Sequence, residues 1–504
     1  MVGPSPSRAP GAPTRIPFSP VDEAVHLLDT DAAPWSVQVE IRVAGRLDEP
    51  RLRAAVSTAL MSHPMARARK LASAPTAHHD RWEITHGLDI DPLRVVDCPD
   101  DQTLGTTRAD LQNIAVPLAE SPPLRLRLAR HRDGDVVMLN ANHAAMDAVG
   151  AMRLLSSVGR AYAGYPDRVP RPDLAESRRL IERLMVSNHA TRLRRALALV
   201  EKLRDLASPT ARLAPESASG ERGYGFHPVA LSAHRTRDLV ELGTPGTVND
   251  LLLAALHLTI DGWNAERNAP CGRIGVLVPA NLRPHEWRHE VVGNFSLPAR
   301  VSTRPRSRRS PALALARITT QTARKKKTGM GTALVDVLGR SELFPLWAKR
   351  AMVTAMPITG HRLVDTAMLS NLGRLAETPS FGPDAGDTIE VWFSPPGRMP
   401  LGLTVGAVTV ADRLHLTFRY RRSLFDADAA ARFAGRFLAE LDGFGNAFTS
   451  GPHTLARATQ ALRFSARRAA SLNRHLRPHR STSARPDVSG GGGDRDAYVR
   501  HGAD

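Results

Sequence analysis

Apolar and polar positions alternate through Ser36–Gly45 (SVQVEIRVAG), the period of a strand. They change to helical spacing through Leu47–Pro64, where Asp48 is placed to cap and Pro50 falls in the first turn. Leu124–His131 and Asp135–Asn142 are extended segments around Asp133-Gly134, which predicts a hairpin. A helical pattern from Asp147 to Tyr162 then ends near Gly164. Leu174–Leu206 reads as one or two amphipathic helices, and Thr244–Glu266 as a turn running into a long, largely buried helix. Gly272–Pro284 and Val291–Ser302 predict strands joined by a polar loop. Thr388–Gly397, Leu401–Arg421 and Asp426–Phe444 predict a strand, a hairpin and a helix in succession.

Each half of the chain mixes strands and helices without a repeating βα unit, so the pattern predicts an α/β (α+β) fold of two lobes around a cleft. The boundaries follow from composition: a flexible, proline-rich leader over 1–15, an N-terminal lobe over 16–210 and a linker over 211–225 (ARLAPESASGERGYG). A C-terminal lobe over 226–456 and a basic, Gly/Ser-rich tail over 457–504, expected to be disordered, complete the chain. With 504 residues, two lobes are the default expectation.

Composition narrows the function. Cys98 and Cys271 are the only cysteines, too few for a disulfide scaffold or a cysteine-based metal site, and no apolar signal segment opens the chain. A reducing, cytoplasmic setting without a membrane span is the expectation. The 68 Lys and Arg residues exceed the 50 Asp and Glu residues, for a formal charge of +18. They are dispersed and lack any zinc-finger, basic-zipper or RNA-binding pattern, which argues against nucleic acid and leaves acidic or phosphate-bearing partners.

The segment with most chemical content is ANHAAMDAVG, Ala141–Gly150. A strand ending at Asn142 and a helix starting near Asp147 put His143 on a short connection, where an imidazole can face a cavity and serve as a proton acceptor near neutral pH. The plainer alternative is that His143 closes the strand by hydrogen bonding and Asp147 is only an N-cap.

This segment resembles the His-His-x-x-x-Asp-Gly motif of the condensation-domain and chloramphenicol-acetyltransferase-like superfamily. His143 matches the second, catalytic histidine and Asp147 the structural aspartate, while Asn142 replaces the first histidine and Ala148 the glycine. Further segments are similar in order: SPPLRLRL at Ser121–Leu128, GTVNDLLLAAL at Gly246–Leu256, VPANLRP at Val278–Pro284 and MLSNLG at Met368–Gly373. The resemblance spans roughly Ile16–Leu441.

It implies two chloramphenicol-acetyltransferase-like lobes as a V-shaped pseudo-dimer with a central cleft, most like a stand-alone condensation enzyme. It implies His143 as base and Arg283 as partner of Asp147 in supporting the loop. Asn142, Asn249, Asp250, Ser370 and Asn371 are candidates for lining the cleft. The implied reaction joins a thioester-bound acyl or aminoacyl group to an amine or alcohol, in secondary-metabolite or nonribosomal-peptide biosynthesis. The acyl group would be carried by phosphopantetheine on an acidic acyl or peptidyl carrier protein, or by coenzyme A, with no tightly bound cofactor and no metal. Two alternatives stay open: a noncatalytic domain that binds or recruits a carrier, and cyclisation or hydrolysis of a thioester-bound intermediate.

Other signals compete. HEWRH at His285–His289 matches His-Glu-x-x-His, but Pro284 precedes it and no third zinc ligand is marked. HHDRWE at His78–Glu83 reads as a surface loop, and ARKKKTG at Ala323–Gly329 as a basic helix end without phosphate-loop glycines. No Gly-x-Ser-x-Gly elbow is present.

Overall fold

In a computed structural model of the chain, the described residues run from 13 to 449, omitting 32, 169–172, 186–208, 218–222, 243, 245, 270, 288–289, 328–331, 342, 355–363, 398 and 400. The expected tail and most of the expected leader lie outside them, as does much of the helical stretch predicted up to Leu206.

The fold is mixed α/β, with three sheets among the described residues. Strands β1 (Thr14–Pro17), β3 (Ala68–Leu71) and β4 (Arg81–Ile84) make the smallest, in the order β1-β4-β3. A five-stranded sheet has the order β12-β2-β7-β6-β5, from β2 (Ser36–Val43), β5 (Leu93–Asp97), β6 (Leu124–Arg130), β7 (Val136–Asn142) and β12 (Thr388–Ser394). A six-stranded sheet has the order β10-β9-β11-β13-β14-β8. Its strands are β8 (Tyr224–Ala230), β9 (Ile274–Asn281), β10 (Ser296–Thr303), β11 (Ala367–Arg374), β13 (Leu403–Val410) and β14 (Arg413–Arg421).

The hairpin predicted at Asp133-Gly134 joins antiparallel β6 and β7. Gly134 has φ +101°, and a Cβ there would collide with the Val43 carbonyl, so both conformation and space demand glycine. On α4 (Ala148–Ala163), Asp147 caps the N-terminus and Gly164 ends the helix with φ 78°. α2 (Glu49–Ser62) likewise starts from Asp48. The helix Val248–Glu266 opens on a Thr247/Asp250 capping box and buries residues on every side, as an all-round apolar helix must.

The alternation that predicts β2 does not leave its polar face in water; every β2 residue is buried. Val37, Val39 and Ile41 enter the apolar core, while α3 (Asp101–Asn113) covers the other face. Arg108 donates to both oxygens of Glu40 at 2.7 and 2.9 Å, Gln112 adds a third bond at 3.1 Å, and Arg42 pairs with Glu390 on β12. Buried charges persist because each finds a partner.

Chain halves and sheets do not coincide. β12 comes from the C-terminal half yet pairs antiparallel with β2, placing Trp392 opposite Glu40. Part of the expected linker is also built in: the Ala214 N–H donates to Asn264, and its carbonyl accepts from the Trp263 indole. β8 begins at Tyr224. Similarly, Thr14 and Arg15 of the expected leader pair with Ile84 and Glu83.

HHDRWE differs from the surface loop the sequence predicts. His78 is exposed, but Arg81–Ile84 forms β4 and Trp82 is fully buried, stacked on Phe18 with ring centroids 4.1 Å apart. Asp22 accepts from its indole N–H. The packing partners lie some sixty residues upstream in the chain, beyond any local pattern.

Candidate active site at the end of strand β7

β7 is buried along its whole length and delivers the chain to a turn at His143. The His143 N–H donates to the Trp35 carbonyl at 3.1 Å, just before β2, and the Ala145 and Met146 N–H groups fold back onto the Asn142 carbonyl. Asn142, in the position of the motif's first histidine, is buried and fully engaged. Its amide donates to Asp29 at 2.8 Å and to the Val116 carbonyl at 2.9 Å, while its oxygen accepts from the Ala144 N–H. Asn142 thus holds the turn's shape by hydrogen bonding.

Asp147 ties the turn to the C-terminal half. Its carboxylate accepts the Gly150 N–H as helix cap and the Phe295 N–H, both at 2.9 Å. Arg283 grips the same carboxylate with both terminal nitrogens, at 2.7 and 2.9 Å. The guanidinium also donates to the Val291 and Gly293 carbonyls and to Asn281, and lies 4.6 Å from the Phe295 ring centroid. Both side chains are essentially sealed from solvent. Burial pushes the Asp147 carboxyl up, but the charge and hydrogen bonds of Arg283 and two backbone N–H groups outweigh it, so the group lies below the usual carboxylate range.

The glycine missing at Ala148 has a counterpart two residues on. A Cβ on Gly150 would lie 3.1 Å from both the nitrogen and the oxygen of Gly293, so the two backbones meet there. The Asp147 N–H donates to the Gly293 carbonyl across the same junction.

His143 itself stays half-buried. Its Nδ1 is buried, and neither ring nitrogen forms a hydrogen bond to another of the described residues. Burial lowers its pKa below the ordinary histidine value; the negative charge of Asp147 and then its own backbone carbonyl oppose that shift without cancelling it. The shift favours the neutral imidazole at pH 7.

The other candidates stand apart from this cluster in hydrogen bonding. Asp250 accepts from Thr247 and, at 2.7 Å, from the Thr322 hydroxyl, fixing its helix to Pro311–Lys327. Asn249 is half-buried on the same helix. Ser370 is buried in β11 opposite Gly406, and Asn371 accepts the Gly373 N–H. None of the four hydrogen bonds to His143 or Asp147 among the described residues. At HEWRH, His285–Trp287 is a three-residue 3-10 helix and His289 lies outside the described residues.

Sequence reasoning missed Trp35, Gly150, Gly293 and Arg419. Arg419, on β14, is fully buried against the Tyr224 ring at 3.8 Å and donates at 3.3 Å to the Ser36 and Pro395 carbonyls and the Gln38 side chain. Ser36 is the register partner of Asn142, so this arginine ties the six-stranded sheet to the strand end that carries the site. Burial depresses its pKa to about 10. A cavity of about 190 Å³ also lies where the halves meet, between Val149, Met152 and Ser156 on α4 and Leu372 and Leu375 at the end of β11. Its wall starts two residues after Asp147.

No protein-family profile matches the chain. The uncharacterized proteins MT2362 and Rv2305 of Mycobacterium tuberculosis (strains CDC 1551 / Oshkosh and ATCC 25618 / H37Rv) are each 35% identical to it over 430 residues. That alignment takes in 83% of this chain and 96% of each relative. Among solved structures, SgcC5 from Streptomyces globisporus is 17% identical, with TM-score 0.61 over 86% of this chain and 99% of its own. The first condensation domain of the calcium-dependent antibiotic synthetase is 13% identical, with TM-score 0.63 over 86% and 97%. The epimerization domain from the third module of tyrocidine synthetase B is 16% identical, with TM-score 0.62 over 87% and 99%. At these identities the likeness is one of fold. The chain belongs to one family with the two mycobacterial proteins, and its own fold is the one seen in the condensation and epimerization domains.

Proposed function

We propose that the protein is an acyltransferase of the condensation type, joining a thioester-bound acyl or aminoacyl group to an amine or alcohol. The observation that carries this reading is the state of His143: an imidazole whose pKa burial lowers, with no hydrogen bond to another described residue, on a turn fixed through Asp147 and Arg283. A histidine that merely closed a strand would use its ring nitrogens for that purpose.

With Nδ1 buried, Nε2 is the nitrogen that meets substrate. It takes the proton of the attacking amine or alcohol as the new bond to the carbonyl carbon forms. The carbon–sulfur bond then breaks, and the proton passes to the departing thiolate, so no covalent acyl-enzyme is needed. Holding both substrates beside the ring supplies up to about 7–11 kcal/mol of the barrier for ideal orientation, and the base about 10²- to 10⁴-fold in rate. The cavity between α4 and β11 borders the motif helix, and His143 is not among its lining residues. A net charge of +18 favours an acidic carrier protein as donor, with coenzyme A as the other source of the same thioester.

The test offers pooled acyl thioesters, on a carrier protein and on coenzyme A, with pooled amines and alcohols, and identifies products by mass. A new amide or ester whose formation needs the protein is expected. Release of free acid alone would replace transfer by hydrolysis. Binding of the carrier without any turnover would replace catalysis by recruitment.

A further inference from the structure

One stretch outside the site exposes more apolar surface than folding explains. Between the helices Thr332–Ser341 and Leu346–Thr354, Leu343 and Phe344 are 76% and 48% exposed, and Trp347 and Met352 on the second helix are 58% and 62% exposed. Four large apolar side chains within ten residues form a patch, which in soluble proteins marks contact with something else.

The second helix is anchored by its opposite face. Leu346 is buried, and Lys349 Nζ reaches Glu23 at 2.5 Å and the His78 carbonyl at 2.7 Å. The Leu346 and Trp347 N–H groups donate to the Ala77 and Pro75 carbonyls. The helix is therefore held rigidly with Trp347, Arg350, Ala351 and Met352 outward. The turn before it closes through Leu343 N–H to Arg340 and Phe344 N–H to Ser341, with both side chains exposed.

We propose that this face docks the protein on an anionic lipid bilayer. Trp, Phe, Leu and Met beside arginines are the side chains that partition into a membrane interface, apolar parts entering the acyl boundary and cations remaining at the headgroups. Exposed Arg340 and Arg350 lie within the patch and supply that charge. A second copy is a poor occupant, because each copy carries +18. No described helix is long and apolar enough to cross the membrane, so the contact is interfacial. This inference is independent of the chemistry assigned to His143.

The test is sedimentation of the full chain with phosphatidylglycerol/phosphatidylcholine vesicles and with pure phosphatidylcholine vesicles, in low and moderate salt. The neutral double variant F344S/W347S keeps the charge unchanged. Wild type should bind the anionic vesicles, and the variant's partition should fall by about tenfold or more. Arg350→Gln should cost about fivefold, consistent with one interfacial cation. Equal binding by wild type and F344S/W347S would assign any attraction to charge elsewhere and overturn the proposal. So would absence of wild-type binding, or concentration-dependent self-association or capture of an acidic carrier protein that F344S/W347S abolishes while vesicle binding is unchanged. L343S/M352S is the second variant, and an unchanged thermal melt certifies folding of either.

Discussion

Replacing Arg283 by methionine tests the scaffold of the site through a magnitude readable from the structure. The arginine gives two hydrogen bonds to Asp147, one to Asn281 and one each to the Val291 and Gly293 carbonyls, all in a region closed to water. Methionine fills much of the volume but leaves the Asp147 carboxylate buried, with only the Gly150 and Phe295 N–H groups as partners. Leaving such a charge uncompensated costs about 3–5 kcal/mol, a large part of a total stability of roughly 5–15 kcal/mol. The assay is urea unfolding at pH 7 of wild type, Arg283→Met, Asp147→Leu and the double variant. The urea midpoint should fall without a change in slope for Arg283→Met, and the double variant should be less destabilised than the two singles summed.

The pH dependence has a fixed sign. Asp147 lies below the usual carboxylate range when folded, so its contribution is present above the unfolded value of about 3.9 and is lost as pH falls towards the folded one. A cost below about 1 kcal/mol for Arg283→Met, or strict additivity in the cycle, would refute the reasoning.

Two further consequences concern close packing and acid. Gly150→Val should destabilise the fold by about 1–3 kcal/mol and slow turnover, because its Cβ would press on Gly293 and move the Asp147 cap; calorimetry beside a rate assay checks this. His257 is buried with neither ring nitrogen partnered among the described residues, and burial, then the charge of Arg308, lowers its pKa to about 3. The unfolded chain takes up that proton near pH 6.5 and the folded one does not, so stability is lost as pH falls below 6.5 at up to about 1.4 kcal/mol per pH unit. His257→Met should flatten this loss, measured as urea midpoints at pH 7 and pH 5.

What the sequence discloses depends on how far apart the interacting residues lie. Helix α4 was legible because Asp147, the apolar period and Gly164 fall within one short segment. Arg283 as partner of Asp147 was reachable only through the resemblance, since 136 residues separate the two. The close approach of Gly150 and Gly293 left no local sign: either glycine alone reads as a turn or a weak helix position. For the same reason HHDRWE passes for a loop, because Phe18 and Asp22, not its neighbours, bury Trp82. The polar face of β2 reads as a solvated strand face until α3 and β12 bring Arg108 and Glu390 to it. Arg419 reads as one more charge in a basic hairpin, and only the assembled sheets show it reaching Ser36.

The central claim is that a neutral His143 removes the acceptor's proton during acyl transfer. Once a reactive thioester and acceptor pair is in hand, the direct measurement is the single-turnover rate of wild type and His143→Ala, both saturated and both shown to melt alike, from pH 5 to pH 8. The expected result is a fall of about 10²- to 10⁴-fold in the variant, with the wild-type rate declining only at a pH below the ordinary histidine value of about 6.5, because burial lowers the folded pKa. A variant as fast as wild type would contradict the account.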